Sequence, residues 1–185
     1  MKRPDDTPLA AAVAFLLAAI ITSGCAATRP STMMGESQIA SKISSLQGRL
    51  QGLGPDADPL EARRVAETAV IHSLRLSEEY RVAPPARWHN LLIQVGLRER
   101  GLCFHWTEDL MKRLQTLPLT TYELHWGVAH RGSDLREHNS VVVTAVNQPF
   151  EKGLVLDPWR NSGDLFWVRV DRDAYPWKPL PRAEW

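Results

Sequence analysis

Apolar residues change their spacing once along this chain, from helical to strand-like. From Glu36 they fall at Ile39, Ile43, Leu46, Leu50 and Leu53, three or four apart, which predicts a helix with one apolar stripe. The segment GPDADP interrupts that stripe, and Asp58 followed by Pro59 and Glu61 marks a new helix start. There an acidic side chain can accept from free amides, and proline loses nothing in the first turn. The second stripe runs through Val65, Val70, Leu74 and Leu76 to about Tyr80, so residues 36–81 are expected to form a helical hairpin. A third helix is expected after Pro85, with Trp88, Leu91, Leu92 and Val95 turned inward and Gly101 as its stop. A fourth starts at or beside Cys103, and its buried stripe is Trp106, Leu110, Met111 and Leu114. After Pro118 the runs TTYELHWGVA, NSVVVTAV, GLVLDPW and DLFWVRVD alternate or are continuously apolar, with turn formers between them. Helices first and strands second predict an α+β fold, an antiparallel sheet with the Cys103 helix across one face.

The N-terminus has a different character. Residues 9–22, LAAAVAFLLAAIIT, are too short a run for a stable membrane span but suit the apolar region of an export signal, with Lys2 and Arg3 ahead of it. Thr22-Ser23-Gly24-Cys25 resembles the lipobox of bacterial lipoproteins. That resemblance implies a signal peptide over 1–24, acylation of Cys25, and a small, polar tether over 25–35 leading to a single domain over 36–185. Ala26 follows the cysteine where an acidic residue would resemble an inner-membrane retention signal. The expected location is therefore the cell envelope, at the outer membrane facing the periplasm.

Charge narrows the partners. Lysine plus arginine number 22 against 21 aspartates and glutamates, so the chain lacks the basic footprint that nucleic acid or anionic headgroups require. The expected partners are a peptide or protein substrate, and the membrane through the N-terminal lipid. The two cysteines matter more. An exported protein normally pairs its cysteines as disulfides, yet with Cys25 acylated Cys103 has no partner, so its thiol must be buried or used.

Used is the more informative possibility, because a helix N-terminus favours an anionic sulfur. His138 stands at the start of NSVVVTAV, and Asp157 closes GLVLD before Pro158, which keeps Asp157 extended. If those strands are neighbours, an imidazole and a carboxylate meet the thiol. Nucleophilic catalysis needs that set: a thiolate to attack, an imidazole to carry the proton, and a carboxylate to hold the ring. His105, two residues from Cys103, falls on another helix face and is discounted as the base. A metal site of Cys103, His105 and His138 lacks a fourth ligand at recognisable spacing, so neither a metal nor a cofactor is expected. His72, set among apolar residues, is expected to be a packing histidine.

The segments GLCFHW, REHNSVVV and LVLDPW resemble the papain-like superfamily in its transglutaminase-like branch, which includes bacterial transglutaminase-like cysteine peptidases. The resemblance covers about Trp88 to Trp177 and implies a catalytic core over 85–180 with Cys103, His138 and Asp157 as the catalytic residues. It implies a cysteine hydrolase of amide or peptide bonds acting through a thioester. Transfer of the acyl group to an amine by the same residues is one alternative, and a non-catalytic scaffold or binding module on the same fold is another. One oxyanion donor is expected from the Cys103 amide, and the second from the preceding helix or the loop before Gly101, with the side chains of Gln94 and Trp88 both open.

Overall fold

The computed structural model describes residues 34–185. The expected signal peptide, Cys25 and nearly all of the tether lie outside the described residues. Among the described residues, four helices precede five strands: α1 (Glu36–Gln51), α2 (Pro59–Glu79), α3 (Ala86–Gln94) and α4 (Cys103–Gln115), then β1 (Tyr122–Ala129), β2 (His138–Ala145), β3 (Leu154–Asp157), β4 (Phe166–Arg169) and β5 (Lys178–Pro179). The strands form one sheet in the order β4-β3-β2-β1-β5, and every neighbouring pair is antiparallel. The α+β class expected from the change of period is the observed one.

Both faces of the sheet are covered, which explains why β2 is buried along its whole length. Side chains alternate between faces along a strand. Val141 and Val143 of β2 and Leu154 and Leu156 of β3 pack with Leu46 and Leu50 of α1, Val65 and Val70 of α2, and Leu110 and Leu114 of α4. Val142 and Val155, one residue out of phase, pack with Val170 and Trp177 on the opposite face. The α1–α2 hairpin and α4 therefore form the helical layer over one side, as their stripes predict.

The start of α2 is tied directly to the start of the sheet. Asp58 caps the helix, its Oδ1 accepting from the amides of Leu60 at 2.9 Å and Glu61 at 2.8 Å. The Glu61 carboxylate is buried and accepts from the amides and hydroxyls of both Thr120 and Thr121, at 2.6 to 2.9 Å. Burial alone would raise its pKa, but those four hydrogen bonds outweigh it and hold the group down at about 2.

The third helix departs from the sequence expectation in both length and orientation. It ends at Gln94 rather than at Gly101, and Gly96, at φ +76°, follows its last turn. Its inward face is Ala86 and His89, whereas Trp88, Leu91 and Val95 are 50%, 44% and 59% exposed. The buried His89 ring explains the orientation. Its Nδ1 accepts from the Ala83 amide at 3.2 Å and its Nε2 donates to the Arg100 carbonyl at 2.9 Å, so the helix is pinned to the chain on both sides. Gly101 serves that contact instead of a helix end: it has φ +123°, and a Cβ there would lie 2.4 Å from His89 Nε2.

Candidate active site

Cys103 opens α4, so its amide has no partner within the helix. The helix start has no side-chain cap from Leu102, and His105 supplies the substitute: its Nδ1 accepts from the amides of Gly101 at 3.1 Å and Leu102 at 3.2 Å. Burial, and then the Arg100 charge, push the His105 pKa down, which suits an acceptor nitrogen. His105 is therefore occupied in holding the loop. Behind it, the buried Trp106 indole donates to the Gly101 carbonyl at 2.9 Å. The Tyr80 hydroxyl and Arg100 Nη2 both donate to Asp109 Oδ2, at 2.5 Å and 2.8 Å. These contacts fix where the thiol begins its helix.

The imidazole and the carboxylate come from adjacent strands. β2 begins at His138 and its antiparallel neighbour β3 ends at Asp157, so both residues lie at the same end of the sheet. Their strand positions have the same parity as Val142 and Val155, which puts them on the same face. The His138 Nε2 to Asp157 Oδ2 distance is 2.7 Å, and the side chains are only 3% and 1% exposed. With Nε2 committed to Asp157, Nδ1 is the nitrogen left for the thiol. Burial alone would push the His138 pKa down. Hydrogen bonding and charge from Asp157 and from Cys103 outweigh that and raise it from 6.5 to about 9. The three residues singled out in the sequence are thus brought together at one site.

Cys103, without a disulfide among the described residues and half-buried, has its Sγ 3.9 Å from the Glu137 carbonyl, one residue before His138. Cys103 and His138 share an open cleft of about 850 Å³, walled by α3 on one side and the β1–β2 loop on the other. Three faces of α3 now have distinct roles. His89 points inward, Arg87, Asn90 and Gln94 line the cleft, and Trp88 and Leu91 face outward. Of the two side chains open as a second oxyanion donor, Gln94 lines the cleft with Cys103 and Trp88 is not among its lining residues.

The ring of His138 is enclosed by aromatic groups that sequence reasoning did not assign. Its centroid lies 4.8 Å from Trp159, 4.8 Å from Tyr175 and 5.4 Å from Trp177. Trp159 Nε1 donates to Asn90 Oδ1 at 3.1 Å, which links this wall to α3. Arg160 and Asp173 were also missed. Arg160 was within reach of the sequence, three residues after Asp157 in the turn that Pro158 opens, while Asp173 carried no local signal. Among the described residues no cluster of three histidine, cysteine or carboxylate groups is arranged to hold a metal ion.

No family model, curated protein or solved structure matches this chain. The functional reading therefore rests on the geometry and chemistry of the site.

Proposed function

We propose that the domain is a cysteine hydrolase of amide or peptide bonds, with a papain-like core of the transglutaminase-like branch, carried on a lipid-anchored envelope protein. The observation that carries this reading is the buried 2.7 Å contact between His138 and Asp157, opening onto a cleft shared with a thiol at a helix N-terminus. A structural histidine needs no carboxylate and thiol together on its ring; a proton carrier for a thiolate does.

In the proposed cycle, Cys103 as thiolate attacks the carbonyl carbon, and the C=O electron pair moves onto oxygen. The Cys103 amide, unpartnered within its helix, and the Gln94 amide group are the donors available to that oxyanion. The intermediate collapses to a thioester as the C–N bond breaks, and His138 gives its proton to the leaving nitrogen. Water then loses a proton to His138 as it attacks the thioester. Collapse of that second intermediate releases the acid and restores the thiolate–imidazolium pair. Asp157 holds the ring through its hydrogen bond with Nε2. An amine in place of water would give acyl transfer. The open cleft admits water freely, which favours hydrolysis.

The test is trapping. Incubated with a digest of envelope proteins, the parent should release new carboxyl termini and carry a thioester mass increment on Cys103. Cys103→Ala should fold and give neither. Equal product from both chains would refute the reading and leave the domain a scaffold. The anchoring claim is separate: Cys25→Ser should leave the membrane fraction or remain unprocessed, and unchanged fractionation and migration would overturn it.

A further inference from the structure

We propose that Arg160 and Asp173 form a positioning pair for His138, Arg160 fixing the Asp157 carboxylate that holds the imidazole while Asp173 neutralises the Arg160 charge. The proposal rests on the Cys103–His138–Asp157 reading of the site. Arg160 reaches back across the turn after β3 to Asp157. Its amide donates to Oδ1 at 3.1 Å, and its Nε donates to Oδ2 at 3.0 Å, the same oxygen that meets His138. The rest of the guanidinium is forked onto Asp173, Nη1 to Oδ1 at 3.2 Å and Nη2 to Oδ2 at 2.8 Å. Asp173 Oδ2 also accepts from Trp177 Nε1 at 2.9 Å, and the Trp177 ring lies against His138. The circuit therefore begins and ends on the imidazole, through a carboxylate on one arm and an indole on the other.

Burial makes the pair consequential. The Asp157 and Asp173 side chains are 1% and 4% exposed, and the Arg160 side chain 23%, so these charges are little screened by solvent. The guanidinium is also packed over Phe166 and Tyr175, at 4.3 Å and 5.0 Å from the ring centroids, which fixes its plane. Alone beside Asp157, Arg160 would cancel much of the carboxylate's attraction for a protonated imidazole. Asp173 removes that conflict. The two carboxylates against one guanidinium leave one net negative charge behind the ring, and protonated His138 brings the cluster to neutrality. That is the charge state a thiolate partner requires.

Other charged groups near the ring are arranged differently. Glu137 and Arg136 precede His138 on the β1–β2 loop and His130 sits at that loop's start; all three line the cleft. The Glu137 carboxylate is held by the Gly132 amide at 2.7 Å and by the Asn139 side chain at 3.3 Å. Tyr175, packed on the ring at 4.8 Å, and Cys103, on α4, are the titratable groups that face it from other elements, and Arg87 of α3 and Asp134 of the loop also line the cleft.

The test follows the C–H resonances of His138 against pH in the full-length protein. Asp173→Asn keeps the shape and one acceptor for Arg160 and Trp177, and should lower the His138 midpoint by about half a pH unit or more, since it removes a nearby negative charge. Arg160→Gln removes the opposing cation and should raise the midpoint. Asp171→Asn, two residues away and paired with Arg169, should leave it unchanged. General loosening of the site would move the first two in the same direction, so opposite shifts support the pair. Shifts of one sign, or no shift in Asp173→Asn, would overturn it. Failure of the catalytic reading looks different: Cys103→Ala would leave the His138 titration of the parent unmoved, whatever the Asp173 variant does.

Discussion

Raising the pH from 6.5 to about 9.5 should cost this fold on the order of 3 kcal/mol through His138. The unfolded imidazole titrates at 6.5 and the folded one at about 9, so the folded state holds its proton more tightly. The resulting stabilisation is fully present below 6.5 and is lost as the pH rises through 9. A difference of that size multiplied by 1.36 kcal/mol per unit gives the figure, and the near-complete burial of His138 and Asp157 means little solvent screening reduces it. The assay is urea unfolding across this window for the parent and His138→Gln, with the difference between them as the readout. His72, His105 and His125, held low chiefly by burial, act mainly below the window. Tyr80 and Tyr122, raised chiefly by burial, act mainly above it. The stability gap between the two proteins should narrow steadily toward high pH. Cys103→Ala should lose part of the dependence, because the thiol is one of the two groups raising the imidazole. A gap that is constant across the window would refute the reasoning, since it would mean His138 gains no proton affinity on folding.

Gly101→Ala should destabilise by roughly 2–4 kcal/mol, because the new Cβ meets the buried His89 ring at 2.4 Å and φ +123° is unfavourable for alanine. It should also slow alkylation of Cys103, two residues on, and a thermal unfolding midpoint equal to the parent's would contradict the contact. Leu91→Ser should change stability by less than about 0.5 kcal/mol, as the side chain is exposed, whereas Leu110→Ala in the core should cost about 2–5 kcal/mol. Equal losses by chemical denaturation would return α3 to the inward-facing orientation its periodicity suggests.

What the sequence conveyed and what it concealed divide along a physical line. The stripe Trp106, Leu110, Met111 and Leu114 and the runs of β1 to β4 were legible because each element's own pattern records which side is buried. His138 and Asp157 were legible for the same reason: once β2 and β3 are antiparallel neighbours, the start of one must adjoin the end of the other. In α3 the same rule failed. Trp88, Leu91 and Val95 are spaced as a core stripe, but spacing shows only that a face is apolar, not what lies against it. The deciding contact is polar, a histidine bridging two backbone groups, and has no period. The Arg160–Asp173 pair was hidden likewise, since a charged pair thirteen residues apart is joined only by the path of the folded chain.

The most direct test of the central claim is the rate at which iodoacetamide alkylates Cys103 as a function of pH, compared between the parent and His138→Ala. The pairing proposed for Cys103 and His138 in their shared cleft predicts that the parent thiol reacts rapidly at neutral pH, where the imidazolium supports a thiolate, and that His138→Ala reacts slowly there while keeping its fold. Superimposable profiles, both following an ordinary thiol titrating near ~8.5, would contradict a Cys103–His138 pair and with it the proposed chemistry.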